Sequence, residues 1–194
     1  MDQPARKEGP RRDAEATRAA LIGAAWQEFE ECGFEAAQSN RIARRAGFSP
    51  QTFYRHFTDK VDILLAVYAE WVAEQQKALA KACTMREAAR VILVGQRASF
   101  KFRDALRTLA MTNAMVRDAR ARMRLHNVAY LRVIVPSAAG LSDGQLLRSL
   151  LLLERVADAC VEGECADPRL SSEDAEKQLA ACIEREFGVP PEAA

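Results

Sequence analysis

The stretch Asn40-Arg41-Ile42-Ala43-Arg44-Arg45-Ala46-Gly47-Phe48-Ser49-Pro50-Gln51-Thr52-Phe53-Tyr54-Arg55-His56-Phe57 reads as two short helices around a tight turn. In the first, Ile42, Ala43 and Ala46 point inward while Arg41, Arg44 and Arg45 point outward. Gly47 ends it. Ser49 then offers an N-cap oxygen, and Pro50 stands at the first helical position, where a missing N–H costs nothing, so a new helix begins there. Phe53 and Phe57, four apart, form its inner face. Two short helices joined by about four residues that include Gly have the spacing of a helix-turn-helix.

Outward from this pair the helical period continues. Upstream, Leu21, Ile22, Ala25 and Phe29 make an apolar stripe on a helix over 13–32, with Gly33 and Phe34 as a Schellman-type end. Downstream, Thr58 and Asp59 cap a long helix bearing Val61, Ile63, Leu64, Leu65, Val67, Tyr68, Trp71 and Val72, running to about Cys83. Further helices are predicted over 85–100, 103–112, 114–135, 143–162 and 172–187, with breaks at Pro136 and Gly140 and at Asp167-Pro168. No period-2 run persists and no internal repeat is visible. The expected fold is all-α: an N-terminal three-helix helix-turn-helix domain, joined by a long helix to a helical ligand-binding and dimerisation domain. Its divisions are a disordered arm over 1–12, the helix-turn-helix domain over 13–60, the second domain over 61–188 and a frayed tail over 189–194.

Composition narrows the function classes. Of 194 residues 49% are apolar and 28% charged, which excludes a fibrous or wholly unfolded chain. The leucine run Leu150 to Leu153 is bracketed by Arg148 and Glu154, and no apolar stretch approaches the roughly 20 residues of a membrane helix. The polar start with Pro4 and Pro10 lacks the apolar core of a secretory signal, so a cytoplasmic location and no membrane partner are expected. Five Cys (32, 83, 160, 165, 182) contain no CxxC pair, and His56 and His126 stand apart from other ligand types. No metal and no cofactor are expected. Without a nucleophile elbow, a Gly-rich phosphate loop or an HExxH motif, the chain is not expected to be an enzyme.

The near-zero net charge hides a strong segregation. Residues 36–60 carry five basic side chains against Asp59; 86–132 carry eleven against three acids; 141–194 carry five against twelve. A basic surface for an anionic partner is implied, with the acidic end paired or held elsewhere.

Gly33-Phe34-Glu35-Ala36-Ala37, Ile42 to Ser49, Thr52-Phe53-Tyr54-Arg55-His56-Phe57 and Lys60 with Leu64 and Leu65 together resemble the DNA-binding domain of TetR/AcrR-family transcriptional repressors. The resemblance covers about the first seventy residues. It implies a homodimer on a pseudo-palindromic duplex operator, and a small-molecule effector. The second helix of such a motif lies in the major groove with its N-terminal residues at the base edges, which makes Pro50, Gln51 and Thr52 after the Ser49 cap the readers. Gln pairs bidentately with adenine, so Gln51 leads. Tyr54, His56 and Lys60 match positions that hold phosphates in the family. The chain departs from the pattern at Ala37, Gln38, Ser39 and Arg41. There Gln38 or Ser39 replaces the usual hydroxyl, and Arg41 joins Arg44 and Arg45 as a cation for the DNA backbone.

In the second domain Trp71, Phe100, Phe102, Met111, Met115, His126 and Tyr130 are candidate walls of a pocket for a small, largely apolar effector. Leu146, Leu147, Leu150, Leu151, Leu153 and Val156 on one helix, with Leu179, Ile183 and Phe187 on the next, are the expected dimer interface in a four-helix bundle. The alternative reading is a DNA-binding regulator controlled by a partner or by cysteine oxidation, with Cys160 and Cys165 as the close pair.

Overall fold

The apolar stripe of Leu21, Ala25 and Phe29 gathers the first three helices, and the computed structural model places all three side chains at the centre of a small core. Residues 10–164 and 175–187 are described. Among them there are helices and turns and no strand. The chain divides into two compact units, the first ending at Tyr68 and the second beginning at Ala69, within a single helix.

The first unit contains α1 (Pro10–Ala36), α2 (Ser39–Arg45), α3 (Pro50–His56) and the start of α4 (Lys60–Leu79). Its core is Leu21, Ala25, Phe29, Phe34, Ile42, Ala43, Phe53, Phe57, Ile63 and Leu64. Helix starts at Pro10, so the last three residues of the expected arm are helical; residues 1–9 lie outside the described residues. Gly33 does not form the expected Schellman end. Its φ of 76° comes with a ψ of 166°, an extended ψ rather than a left-handed helical one, and one more helical turn follows. The start of α4 follows expectation: Asp59 Oδ1 accepts from the N–H groups of Val61 and Asp62 at 2.7 and 2.8 Å, and Asp62 Oδ2 accepts from Thr58 N–H at 2.9 Å. That reciprocal exchange resembles a capping box.

The second unit holds the rest of α4, α5 (Met85–Ala98), α6 (Phe100–Thr112), α7 (Ala114–Ile134), a 3-10 turn (Pro136–Gly140), α8 (Asp143–Glu162) and α9 (Ala175–Phe187). The helical period runs on to about Cys83, but α4 ends at Leu79. The expected α5–α6 break lies near Lys101. The break is the single residue Ser99, whose buried Oγ donates to Gly95 O at 2.7 Å. Side-chain caps fix the other starts: Thr84 for α5, Asn113 for α7 and, for α8, a capping box between Ser142 and Gln145. Ala89 and Leu93 of α5, Leu146, Leu153 and Ala157 of α8, and Leu179, Ile183 and Phe187 of α9 form one apolar core. The break at Asp167-Pro168, the predicted helix start at 172, Cys165 and the tail fall outside the described residues.

The basic middle of the chain is paired with the acidic end. Arg86 and Arg90 meet Glu176, Arg103 and Arg107 meet Asp158, Arg107 also reaches Glu162, Arg120 and Arg124 share Glu154, and Arg132 meets Asp143. Glu154, Asp158 and Glu162 recur every fourth residue on one face of α8, so the pairs form a ladder.

Candidate nucleic-acid interface

The α2–α3 turn owes its shape to Gly47. Phe48 N–H donates to Ala43 O at 2.9 Å and Gly47 N–H to Arg44 O at 3.0 Å, the two bonds of a Schellman motif, with Gly47 at φ +81° where a Cβ would be strained. Ser49 Oγ then accepts from Thr52 N–H at 3.4 Å, and Pro50 opens α3. The motif is thus closed on both sides of the turn by local hydrogen bonds.

Burial of Phe53 and Phe57 orients α3. Arg18 of α1 lies over the Phe57 ring at 5.0 Å, and the two Phe rings are 5.7 Å apart. The opposite face of α3 is left to solvent: Gln51, Tyr54 and Arg55 are exposed, with Tyr54 at 58%, while Pro50, Thr52 and His56 are half-buried. Ser49 and Arg44 are exposed beside them, and so is Gln38, whereas Ser39 is half-buried. Gln38 is the N-cap of α2, but its side chain makes no capping bond. Arg55, an exposed cation on α3, is not among the residues expected from sequence to touch DNA.

Three expected phosphate contacts are committed elsewhere. Lys60 Nζ donates to the carbonyls of Phe34, Glu35 and Ala37 at 2.6, 3.1 and 3.2 Å and sits 4.3 Å from the centre of the Phe34 ring. An ammonium has three hydrogens, and these three acceptors take them all. Lys60 therefore seals the end of α1, the task that a Schellman turn at Gly33 was expected to perform. Arg41 Nε lies 2.6 Å from Glu28 Oε1, and Arg45 reaches Glu28 at 3.3 Å and also grips Glu31. Glu28 is 0% exposed, so its charge requires these partners. The Arg45 guanidinium beside Glu31 holds that carboxyl below the ordinary glutamate range, and Glu31 in turn raises Arg45. Glu28 escaped the sequence reading. Its signal is an acid on the buried stripe of Leu21 and Ala25, with two Arg one turn apart on the next helix.

In the second unit the expected pocket residues separate. Met111 is 74% exposed, and Phe100, Met115 and His126 are exposed too, so these four do not line an enclosed space. Phe102 is buried, and its ring lies 6.4 Å from that of half-buried Trp71. Tyr130 OH donates to Gln76 O at 2.7 Å, and desolvation pushes the phenol up from its usual value. The expected dimer residues separate as well. Leu146, Leu153, Leu179, Ile183 and Phe187 already belong to the core of their own chain and have almost no surface left to bury. Leu147, Leu150 and Val156 are half-buried, and Leu151 is exposed, as is Leu152 next to it.

Among the described residues no helix is long and apolar enough to cross a membrane. Residues 21–67 match the model of the family described as bacterial regulatory proteins, tetR family. Over 69 residues, 36% of this chain, the sequence is 33% identical to the HTH-type transcriptional regulator UidR of Escherichia coli (strain K12), and the match spans only 34% of that relative's length. Two solved structures share the fold over most of the chain. A chain from Rhodococcus sp. described as a TetR-family transcriptional regulator superposes with a TM-score of 0.67 at 20% identity, covering 89% of this chain and 99% of that one. The multidrug binding protein EbrR, solved with imidazole, gives 0.60 at 18% identity, covering 90% and 97%. The helix-turn-helix closed by Gly47 and Ser49 lies within residues 21–67, the stretch that matches the model of the tetR family of bacterial regulatory proteins.

Proposed function

We propose that the chain is a homodimeric repressor that binds a pseudo-palindromic operator and is released by a small, largely apolar effector. The observation that carries the reading is the outer face of α3, where Gln51, Tyr54 and Arg55 stand exposed over a buried Phe53. Placed in the major groove, Gln51 reads an adenine edge, with Pro50 and Thr52 beside it offering apolar contact to a thymine methyl. Tyr54, His56, Arg44 and Arg55 hold the flanking phosphates, and Ser49, Gln38 and Ser39 lie close enough in sequence to assist. Residues 13–60 serve DNA and residues 61–188 serve effector binding and dimerisation. The dimer face is the exposed Leu151 and Leu152 with half-buried Leu147, Leu150 and Val156, since two copies of α8 and α9 make a four-helix bundle. Trp71 and Phe102 are the surviving candidates for the effector wall. A solved neighbour of the same fold is named for binding several drugs, which supports a small-molecule role for this unit. By linkage the effector binds the DNA-free form more tightly, and a tenfold loss of operator affinity needs only about 1.4 kcal/mol of difference.

Selection of genomic fragments by the purified protein, followed by footprinting, tests the reading. A paired site with two half-sites is the expected result, and Gln51→Ala relaxes preference at one position in each at a cost of about 1–3 kcal/mol. Uniform binding to all fragments at moderate salt overturns it.

A further inference from the structure

Gln96 occupies a position where the helix pattern calls for an apolar side chain. Ala89, Leu93 and Gln96 follow one another at i, i+4 and i+7 on α5, and the first two are part of the apolar core of the second unit. Gln96 is only 6% exposed, and its Oε1 is buried and accepts no hydrogen bond from the described residues. A buried carbonyl without a donor costs stability that Leu or Met at the same place would not. The neighbouring serine does not relieve it, because Ser99 Oγ gives its hydrogen to Gly95 O.

A second observation adjoins the first. A Cβ built on Gly95 would lie 2.3 and 2.4 Å from Oε1 and Nε2 of Gln75. The carboxamide of Gln75 therefore fills the notch left by the missing side chain of Gly95. Gln75 is half-buried on an unbranched stem, so it can swing out. One helical turn before it on α4 stands Trp71, whose ring meets that of buried Phe102.

We propose that the Gly95 notch and Gln96 form the binding site for an uncharged, flat molecule bearing an N–H or O–H donor, which displaces the Gln75 carboxamide and donates to Gln96 Oε1. The proposal rests on the effector reading above and names the chemistry of that effector. The charged groups nearby select against ions. Arg103 lies 5.9 Å from the Trp71 ring centre and repels a cation, while its own charge is taken by Asp158. Arg107 is shared among Asp104, Asp158 and Glu162, so an anion finds both arginines engaged.

The chain has two Trp, at 26 and 71, so a Trp26→Phe background makes Trp71 emission the readout in the full-length protein. The probes are benzamide, N,N-dimethylbenzamide, benzoate and benzylammonium. Benzamide is expected to quench saturably and to bind roughly tenfold tighter than the other three, the dimethyl form carrying two methyl groups in place of the N–H donors and so being bulkier and less flat as well. Gln96→Met is expected to weaken benzamide severalfold and leave its dimethyl form unchanged, narrowing the preference between them, with a melting temperature unchanged or raised. Gln75→Ala, which clears the notch, is expected to tighten benzamide severalfold. Equal binding of the amides to the wild-type site, a preference undiminished by Gln96→Met, a lower melting temperature for Gln96→Met, or no saturable quenching overturns the proposal. Operator affinity is measured alongside. Benzamide that binds with this preference but leaves operator affinity unchanged keeps the site and defeats the coupling proposed above. Release by other compounds that is indifferent to Gln96→Met keeps the coupling and defeats the site.

Discussion

Lys60 donates to three backbone carbonyls at the end of α1, so replacing it tests a structural role against a DNA-contacting one. Lys60→Met keeps much of the aliphatic stem and removes the donors. We expect it to lower the stability of the folded protein by about 1.5–3 kcal/mol, the range for hydrogen bonds to a charged group. The salt dependence of DNA binding, measured on the folded fraction, should keep its slope, because no phosphate contact is lost. The Glu31–Arg45 pair sets a pH dependence. The Glu31 carboxyl is held below its ordinary range, so its contribution is present above the unfolded-state value and is lost as pH falls through the folded-state value. Thermal melts at decreasing pH should show the α1–α2 tie weakening in that acidic window, and Glu31→Gln should reduce the dependence there. Such details were beyond a reading of residue types. In sequence Lys60, Arg41 and Arg45 are merely cations near a DNA-binding helix. What redirected them is a buried carboxylate and a set of unsatisfied carbonyls, both visible only once the helices are packed.

At the scale of elements, α3 has seven residues, too few to hold a helix by its own hydrogen bonds. Its register depends on the Ser49 cap, the Pro50 start and the buried Phe53. Ser49→Ala should cost about 1 kcal/mol of stability, the usual value of an N-cap oxygen, and should weaken operator binding while leaving base preference intact. Chemical denaturation and a competition assay on variant sites check the two halves of that statement. These features were legible beforehand: Gly47, Ser49 and Pro50 are local signals whose geometry follows from backbone chemistry, and the structure has all three in the expected roles. The end of α1 was less legible. Gly33 adopts a positive φ as expected, yet its ψ is extended and a further turn follows, because Phe34 packs on Phe29 at 5.7 Å and Lys60 accepts the task of capping. A local signal predicts where a helix is interrupted. A long-range contact decides how it finishes.

For the whole molecule, the proposed dimer divides the leucines of α8 between folding and assembly. Leu146 is fully buried within its own chain, whereas Leu151 and Leu152 are 44% and 41% exposed. Leu146→Ala should cost about 2–5 kcal/mol of stability through the cavity it leaves. Leu151→Lys combined with Leu152→Glu should leave the melting transition of the isolated chain nearly unchanged and shift light scattering from dimer to monomer. A double variant that remains dimeric at micromolar concentration would move the interface elsewhere. Sequence could not divide these residues, since an amphipathic stripe records only that a face is covered and is silent on whether the cover is the same chain or a copy.

The ladder of arginines and acids along α8 also governs what a distant polyanion feels. Each pair is a short dipole, and the field of a dipole fades faster than that of a lone charge; at physiological ionic strength it is further damped over about 8 Å. The eleven basic residues over 86–132 outnumber the five over 36–60, yet many of the former are bound to carboxylates of α8 and α9. In the proposed DNA-binding role, the arginines bound to α8 and α9 carboxylates add little to the pull on a polyanion, whereas Arg44 and Arg55 stand exposed beside α3 and add to it directly. On that proposal, the pairing of the long basic segment favours first contact near α3 before any base is touched.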